Sequence, residues 1–257
     1  MIDGLVSIIM PSWNTEKFIG ESIQCVVDQT YKNWELLIVD DCSTDNTDEV
    51  VKLYLKDPRI KYFKNEKNNG AAFTRNRAMR EAHGEWIAFL DSDDLWDPAK
   101  LELQIAFMKQ WGYVLTYTEY EKISEDGKPL NISVTGPNVV NKRKMYNYDY
   151  IGQLTMIYSA KHFGLIQIKD IKKNNDYAIR LQLYKKPGTE AHLLKKNLAK
   201  YRVRRKSISH DKLSKKLRSH YDLFHHCDEK GLVIALWYAC WNMIYGVLKK
   251  KNYEKCV

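Results

Sequence analysis

Apolar and polar positions along the first 110 residues predict strands and helices in strict succession. Short apolar runs rich in Ile, Val and aromatic residues read as buried strands, at 5–10, 34–39 and 85–90. A more polar strand is predicted at 59–64. The intervening segments are predicted helices, at 16–29, 45–56 and 71–82, and a fourth helix begins at Asp97-Pro98. This succession indicates an α/β fold with a Rossmann-like, mainly parallel central sheet and flanking helices.

The pattern is weaker after residue 112. The runs 113–123 and 128–134 flank a turn at 125–127 and predict a hairpin. The polar stretch 138–150 is interpreted as a loop. The remaining predicted elements are a strand at 154–159, a helix at 176–185, a strand at 201–204 and helices near 211–226 and 231–250.

Carboxylates follow two of the predicted strands directly. Asp40 and Asp41 end the second strand, and Asp91, Asp93 and Asp94 follow the fourth. The carboxyl ends of parallel strands meet at one edge of a sheet, which is where ligands bind. Three acids this close repel one another unless a cation lies between them, and their oxygens suit Mg²⁺ or Mn²⁺. An acidic, solvated loop that caps the next helix is the alternative.

Two common nucleotide-binding motifs are absent from the sequence. No GxGxxG follows the first strand, and no GxxxxGK[ST] occurs. Dinucleotide-binding and P-loop interpretations therefore lose their main support. The five scattered cysteines contain no CxxC pair, and no signal peptide is evident at the first residues. Both observations favour a reducing cytoplasm over a disulfide framework or a zinc site.

Four segments resemble family 2 glycosyltransferases of the GT-A fold. They are VSIIMPSWN (6–14), ELLIVDDCSTD (35–45), TRN (74–76) and GEWIAFLDSDD (84–94). Their order and spacing carry the resemblance, which is strong over residues 5–110 and traceable to about 209. It implies a catalytic domain over 1–209, with a nucleotide-binding half (1–110) and an acceptor-side half (111–209). A C-terminal helical segment, 210–257, would follow.

The resemblance implies roles on the donor side of the site. Pro11 and Trp13 would line the pocket for the nucleotide base, with Trp13 where the family usually has Tyr. Asp41 would accept a hydrogen bond from the base, for which the uracil N–H is a natural donor. Arg75 would lie near the phosphates. The structural alternatives are loop packing for Trp13, a solvated turn acid or a helix cap for Asp41, and an exposed helix arginine for Arg75.

The same resemblance implies a metal site and a catalytic base. Asp91 and Asp93 would form the DxD pair that binds Mn²⁺ or Mg²⁺, with Asp93 as the direct ligand and Asp91 reaching the ribose or a metal-bound water. Asp176 would be the base that deprotonates the acceptor hydroxyl. Its neighbour Asn175 stands where the family more often has Glu, which removes a like charge and would lower the pKa of Asp176. A helix N-cap is the alternative for Asp176.

The C-terminal part of the chain is basic and then apolar. The formal net charge of +9 is concentrated after residue 100, most densely at 195–218. The resemblance suggests that a loop at 201–210 closes over the donor, where Arg204, Ser207 or His210 would contact the diphosphate. Residues 231–248 contain no charged residue, which allows an interfacial membrane helix, a buried helix or a transmembrane span.

Together these features predict a metal-dependent inverting glycosyltransferase. It would transfer a sugar from a UDP-sugar to a growing bacterial surface glycan or a lipid-linked glycan, in the cytoplasm at the inner face of the plasma membrane. An anionic membrane surface is an expected partner, and nucleic acid is not. The alternatives are a sugar-nucleotide nucleotidyltransferase, a basic nucleic-acid-binding protein and a non-catalytic member of the family.

Overall fold

The computed structural model describes residues 1–204 and 213–256. Its first ninety residues alternate between strand and helix, as the apolar pattern predicts. The elements are β1 (Ile2–Ser12), α1 (Ile19–Val27), β2 (Trp34–Asp40), α2 (Thr47–Lys52), β3 (Ile60–Lys64), α3 (Ala71–Arg80) and β4 (Gly84–Phe89). Every predicted element of this part is present, and the ends differ from the predicted ones by about one helical turn at most.

β1 lies in the middle of the parallel part of the sheet, between β2 and β4, and β3 continues beyond β2. The register pairs Ser12 at the end of β1 with Asp40 at the end of β2. It also pairs Ile9 with Phe89 at the end of β4. Residues that follow these three strands therefore emerge together at one edge of the sheet.

Alternate residues of β1 serve two apolar layers on opposite faces of the sheet. Ile8 packs in the layer that contains Ile23 of α1, and Ile9 packs in the layer that contains Met79 of α3. Because both faces are covered, the parallel strands are apolar at nearly every position rather than at every second one.

The second half of the chain extends this sheet. Its elements are β5 (Leu95–Trp96), α4 (Lys100–Trp111), β6 (Leu115–Ile123), β7 (Pro129–Val134), β8 (Val139–Asn141), α5 (Lys142–Asn147), a 3₁₀ turn (Gln153–Thr155), β9 (Ile157–Ser159), α6 (Ala160–Phe163), α7 (Asn175–Leu183) and β10 (Glu190–Arg202). β9 pairs antiparallel with both β4 and β6, and β10 runs parallel to β6. The described residues form a mixed, eleven-stranded sheet whose parallel part is the predicted one.

The structure confirms the predicted hairpin, since β6 and β7 pair antiparallel. The prediction of a loop at 138–150 is wrong, because this stretch contains β8 and α5. Val140 and Met145 are buried there, and Asn141 caps α5 by accepting a hydrogen bond from the backbone N–H of Lys144 at 3.0 Å. Only a few apolar residues are buried in this stretch, and exposed polar residues surround them. The pattern of apolar residues therefore did not indicate either element.

The last described elements fold back onto the sheet. They are α8 (Leu213–Asp222), a π-helical turn (Leu223–Cys227), α9 (Leu232–Tyr253) and β11 (Glu254–Cys256). β11 pairs antiparallel with β7, and Lys122 of β6 forms an ion pair with Glu254 at 2.8 Å. Within the described ranges, α9 is the one helix long and apolar enough to cross a membrane. The domain boundary predicted after residue 209 lies outside the described residues and stays a prediction.

The first residue of α4 is a fully buried lysine. Lys100 donates a hydrogen bond to Gln104 Oε1 at 2.7 Å, and its ammonium lies 4.6 Å from the ring centroid of Trp96. Burial lowers the pKa of Lys100 to about 7. Its ordinary value is 10.5, so the folded protein loses this proton at a pH where the unfolded chain still holds it.

This difference predicts a pH-dependent stability. Between about pH 7 and about pH 9 the unfolded chain binds more protons at Lys100, so the free energy of unfolding should rise with pH. Relative to Lys100→Met, the wild type should gain on the order of 2 kcal/mol over this interval. Urea unfolding at both pH values measures the gain. Lys109→Met, on the exposed side of the same helix, should follow the wild type. Parallel pH profiles for wild type and Lys100→Met would contradict the prediction.

Candidate active site

Two of the acids that follow β4 are contacted by arginines from distant segments. Asp91 Oδ1 accepts a hydrogen bond from Arg75 of α3 at 2.5 Å. Asp93 Oδ2 accepts one from Arg204, beyond the end of β10, at 3.2 Å. The predicted contact of Arg204 with a diphosphate stays a prediction, and Ser207 and His210 lie outside the described residues.

Two of the acids, Asp93 and Asp94, have raised pKa values. Burial raises the pKa of Asp93, the charge of Asp91 raises it further, and Arg204 opposes both. Burial and the charges of Asp93 and Asp91 raise the pKa of Asp94 well above its ordinary value. Asp94 is almost fully buried and accepts a hydrogen bond from the backbone N–H of Arg202 at 2.8 Å. Carboxylates in this arrangement are stabilised by an additional cation.

The acidic cluster suits a metal ion that a substrate helps to hold. Across residues 1–204 and 213–256, no group of three or more His, Cys, Asp or Glu side chains is arranged to hold an ion. Asp91 and Asp93 can thus offer two carboxylates, with the other ligand positions left to phosphate oxygens and water. Mg²⁺ in particular is often bound in this way, through one or two carboxylates and substrate phosphates.

The residues predicted to contact the base lie at the ends of β1 and β2. Pro11 is buried, whereas the side chain of Trp13 is 55% exposed. Asp41 is buried, and its carboxylate orders the loop before α3. Its donors are Asn65 Nδ2 at 2.8 Å, the backbone N–H of Asn69 at 2.9 Å and that of Gly70 at 2.7 Å. With the Asn68 amide turned to donate to Asp41, its oxygen accepts from the Trp13 indole at 3.0 Å.

Arg75 connects the acids to α7. It is 6% exposed, which removes the alternative of an exposed helix arginine. One end of its guanidinium donates to Asp91 and the other to Asn175, the first residue of α7. The DxD segment and the helix that carries Asp176 are thereby held together by one side chain.

Asp176 lies in the first turn of α7, and the residue at the N-cap position is Asn174. Its Oδ2 accepts a hydrogen bond from Arg180 at 3.0 Å, and 41% of its side chain is exposed. Burial acts to raise the pKa of Asp176, but the charges of Arg180 and Arg75 outweigh it, so the pKa is lowered. The direction agrees with the prediction, although the two arginines are its main cause. Asp176 is therefore ionised at neutral pH.

Arg180 compensates two acids at once. Its guanidinium, 1% exposed, forms a bidentate contact with Asp149 and a single contact with Asp176. It also donates to Gln153 Oε1. Burial raises the pKa of Asp149, and Arg180 opposes this rise. Sequence reasoning missed Asp149 and Gln153, because nothing near them in the chain shows that a buried arginine binds both.

A cavity of about 900 Å³ opens between the acids and the C-terminal helices. The predicted residues that line it are Arg75, Asp91, Asp94 and Asp176. Those that do not are Pro11, Trp13, Asp41 and Asp93. The predicted site residues therefore form two groups. Pro11, Trp13 and Asp41 lie at the ends of β1 and β2, whereas Arg75, Asp91 and Asp176 line the cavity beside α7. Residues of α8 and α9 complete the cavity wall, which the sequence pattern did not predict.

Known proteins are similar to this chain in sequence. A family model described as glycosyl transferase family 2 matches residues 7–172. The chain is 39% identical over 209 residues to the putative teichuronic acid biosynthesis glycosyltransferase TuaG of Bacillus subtilis, across 81% of this chain and 82% of that protein. It is 38% identical over 253 residues to UDP-Glc:alpha-D-GlcNAc-diphosphoundecaprenol beta-1,3-glucosyltransferase WfgD of Escherichia coli, across 97% and 96%.

Solved structures of the same fold carry nucleotide sugars. The crystal structure of S. aureus TarS 1-349 in complex with UDP-GlcNAc has a TM-score of 0.69 at 23% identity, over 90% of this chain and 69% of that one. The mannosyltransferase PcManGT of Pyrobaculum calidifontis, in complex with GDP-Man and Mn²⁺, has a TM-score of 0.61 at 16% identity, over 91% and 69%. The chain therefore belongs to glycosyltransferase family 2 and is a glycosyltransferase with the GT-A fold.

Proposed function

We propose that this enzyme transfers a sugar from a UDP-sugar to a hydroxyl group of a bacterial surface glycan, with inversion at the sugar carbon. The observation that carries the proposal is that Asp91 of the DxD segment and Asp176 line one cavity, where Arg75 joins Asp91 to Asn175, the residue before Asp176. A donor diphosphate at the acids and an acceptor in the cavity would then meet beside Asp176.

The donor side has features that suit a uracil nucleotide. Asp41 accepts hydrogen bonds from Asn65, Asn69 and Gly70, and the Asn68 amide is the fourth donor, which fills the capacity of about four that a carboxylate has. A uracil N–H would therefore bind Asp41 by replacing the Asn68 amide. The Asn68 amide between Asp41 and Trp13 offers an N–H and a C=O side by side, the pattern that a uracil edge also carries. Trp13 is exposed at this place and can stack on the base. WfgD is named for UDP-Glc, which supports the same donor class.

Asp91 and Asp93 are the residues that would hold Mn²⁺ or Mg²⁺. The ion supplies neutralisation of the negative charge that the diphosphate gains as the bond to the sugar breaks. Arg204 contacts Asp93 and Arg75 contacts Asp91, so both guanidinium groups would lie beside a diphosphate bound at these acids. They would add positive charge to the leaving group's side of the site.

Asp176 would accept the proton of the attacking acceptor hydroxyl. Its lowered pKa keeps it ionised at neutral pH, so it is ready to act as a base before the acceptor binds. The hydroxyl oxygen would then bond to the sugar carbon from the face opposite the diphosphate, and the nucleoside diphosphate would leave.

The acceptor class is inferred from the relatives and from α9. TuaG is named for teichuronic acid biosynthesis, and WfgD for an acceptor on diphosphoundecaprenol. A lipid-linked glycan requires an enzyme that works at the membrane. The outer side of α9 presents apolar residues at helical spacing, with exposed fractions of 82% for Val233, 60% for Trp237, 51% for Ile244 and 72% for Val247.

The surroundings of α9 favour a helix that lies on the membrane. A groove lined by aromatic and basic side chains runs beside it, formed by Trp237, Trp241, Tyr245, Lys142, Arg143 and Lys230. Aromatic and cationic groups of this kind suit the interface of an anionic bilayer. Ala235 and Ala239 are buried against the domain, and β11 ties the end of α9 to β7. Both ends of α9 therefore stay with the same domain, so it would lie along the inner face of the plasma membrane.

The donor assignment predicts a specific thermal shift. Among UDP, GDP, CDP and dTDP, each with and without Mn²⁺, UDP with Mn²⁺ should raise the melting temperature most. Asp93→Ala should lose the Mn²⁺-dependent part, because the direct ligand is gone. Asp126→Ala, in the exposed hairpin turn, is the matched control and should behave as wild type. A retained Mn²⁺-dependent shift in Asp93→Ala would contradict the ligand assignment.

The base assignment predicts a separation of binding from transfer. Asp176→Asn keeps the shape of the side chain but cannot take the proton, so transfer should fall by roughly 100-fold or more. The UDP-dependent thermal shift should stay near that of the wild type. Asp222→Asn on α8, which does not line the cavity, is the control. Most of the activity surviving in Asp176→Asn would mean that another group is the base.

The membrane assignment predicts vesicle binding through α9. Wild-type protein should float with vesicles that contain phosphatidylglycerol and much less with pure phosphatidylcholine. Val233→Glu combined with Trp237→Glu should abolish flotation, because both side chains are exposed on the outer side of α9. Leu53→Glu, at an equally exposed apolar residue next to α2, should leave it unchanged. Unchanged flotation of the α9 double variant would exclude this surface.

A further inference from the structure

Buried polar atoms that lack a partner are concentrated around the cavity. Among the described residues, nine carry a buried side-chain nitrogen or oxygen without a hydrogen-bond partner. Five of these nine line the one cavity beside Asp176, namely Arg75, Gln153, Asn174, His220 and Asn242. Folded proteins pair nearly all such atoms, so this concentration points to a polar ligand that pairs them.

In two amide side chains, the hydrogen bonds made by one polar atom show which atom of the same amide is unpaired. Gln153 accepts from Arg180 through Oε1, which leaves its Nε2 as a donor. Asn242 donates through Nδ2 to the carbonyl groups of Tyr146 and Tyr238, each at 3.1 Å, which leaves Oδ1 as an acceptor. Both residues line the cavity, so its wall contains one unpaired donor and one unpaired acceptor.

His220 of α8 adds a neutral group close to the base. Burial lowers its pKa to about 4, while the charge of Asp176 acts in the opposite direction. The ring is uncharged at neutral pH, so it has one donor and one acceptor nitrogen, and its buried Nδ1 has no protein partner. The nearby cation Arg180 is already engaged by Asp149 and Asp176.

We propose that this cavity is the subsite for the acceptor sugar and that His220 and Asn242 determine acceptor specificity by hydrogen bonding to its hydroxyl groups. The proposal rests on the proposed function. Each sugar hydroxyl both donates and accepts, which matches neutral groups such as these better than a phosphate would. The rings of Tyr120, Tyr148 and Tyr201 also line the cavity and can pack on the apolar faces of a sugar ring.

Both residues lie outside the part that the family model matches, which ends at residue 172. They belong to α8 and α9, and α9 also carries the outer apolar surface. Asn242, Gly246 and Lys249 line the cavity at helical spacing, while Trp237 and Ile244 are exposed. One helix would therefore form the wall of the acceptor subsite and contact the membrane that carries the acceptor's lipid.

The test measures acceptor and donor kinetics separately. The acceptor probes are alkyl diphosphates of N-acetylglucosamine, N-acetylgalactosamine, glucose and galactose, and the donor is UDP-glucose. With the best probe, His220→Phe and Asn242→Leu should each raise the acceptor KM by about threefold to tenfold, the loss of one neutral hydrogen bond. The donor KM should not change.

Controls separate this inference from the proposed function. His226→Phe replaces an exposed histidine of the neighbouring turn and should leave the acceptor KM unchanged. His220→Gln, which keeps a hydrogen-bonding group, should restore part of the lost affinity. If neither variant changes the acceptor KM while both melt like the wild type, the subsite assignment is wrong. It is equally wrong if the wild type binds UDP and hydrolyses UDP-glucose but responds to none of the four probes. Absence of UDP binding would contradict the proposed function instead.

Discussion

Pairing of two buried arginines with acidic and amide side chains is the constraint on which this site depends. Arg180 is almost inaccessible to solvent and lies between Asp149 and Asp176. Arg75 occupies the corresponding place between Asp91 and the start of α7. Removing one partner of such a contact leaves an unpaired buried charge, which typically costs about 3–5 kcal/mol. The arginines therefore fix the position of α7 and keep its aspartate ionised, and the geometry of the cavity follows from both.

The parallel half of the sheet and the acids at its edge could be predicted, because strands buried on both faces leave a continuous apolar signal and the acids follow directly. The cavity could not be predicted, because its contacts join residues far apart in the chain. Arg75 and Asn175 are one hundred positions apart, and Arg202 of β10 reaches back to Asp94. The stretch 138–150 was misjudged because a few buried side chains there are surrounded by exposed polar ones.

The uncharged part of α9, residues 232–248, faces two different environments. Its composition alone fits a buried helix, an interfacial helix or a span. In the fold, Ala235, Ala239 and Asn242 face the domain, whereas Trp237 and Ile244 face outwards. The polar Asn242 makes sense only on the inner side, where the carbonyl of Tyr146 accepts its hydrogen bond. The division between the two sides comes from tertiary packing, which composition does not record.

The guanidinium of Arg75 contacts two segments of the site, so it would couple the binding of one substrate to the binding of the other. It contacts Asp91 of the DxD segment and Asn175 at the start of α7, and its buried Nε has no partner. Any ligand that draws Arg75 away from Asp91 also changes what anchors α7. Thermodynamic linkage makes this effect mutual. If the first substrate changes the affinity for the second by some factor, the second changes the affinity for the first by the same factor. A single side chain would in this way couple the affinities of the two substrates.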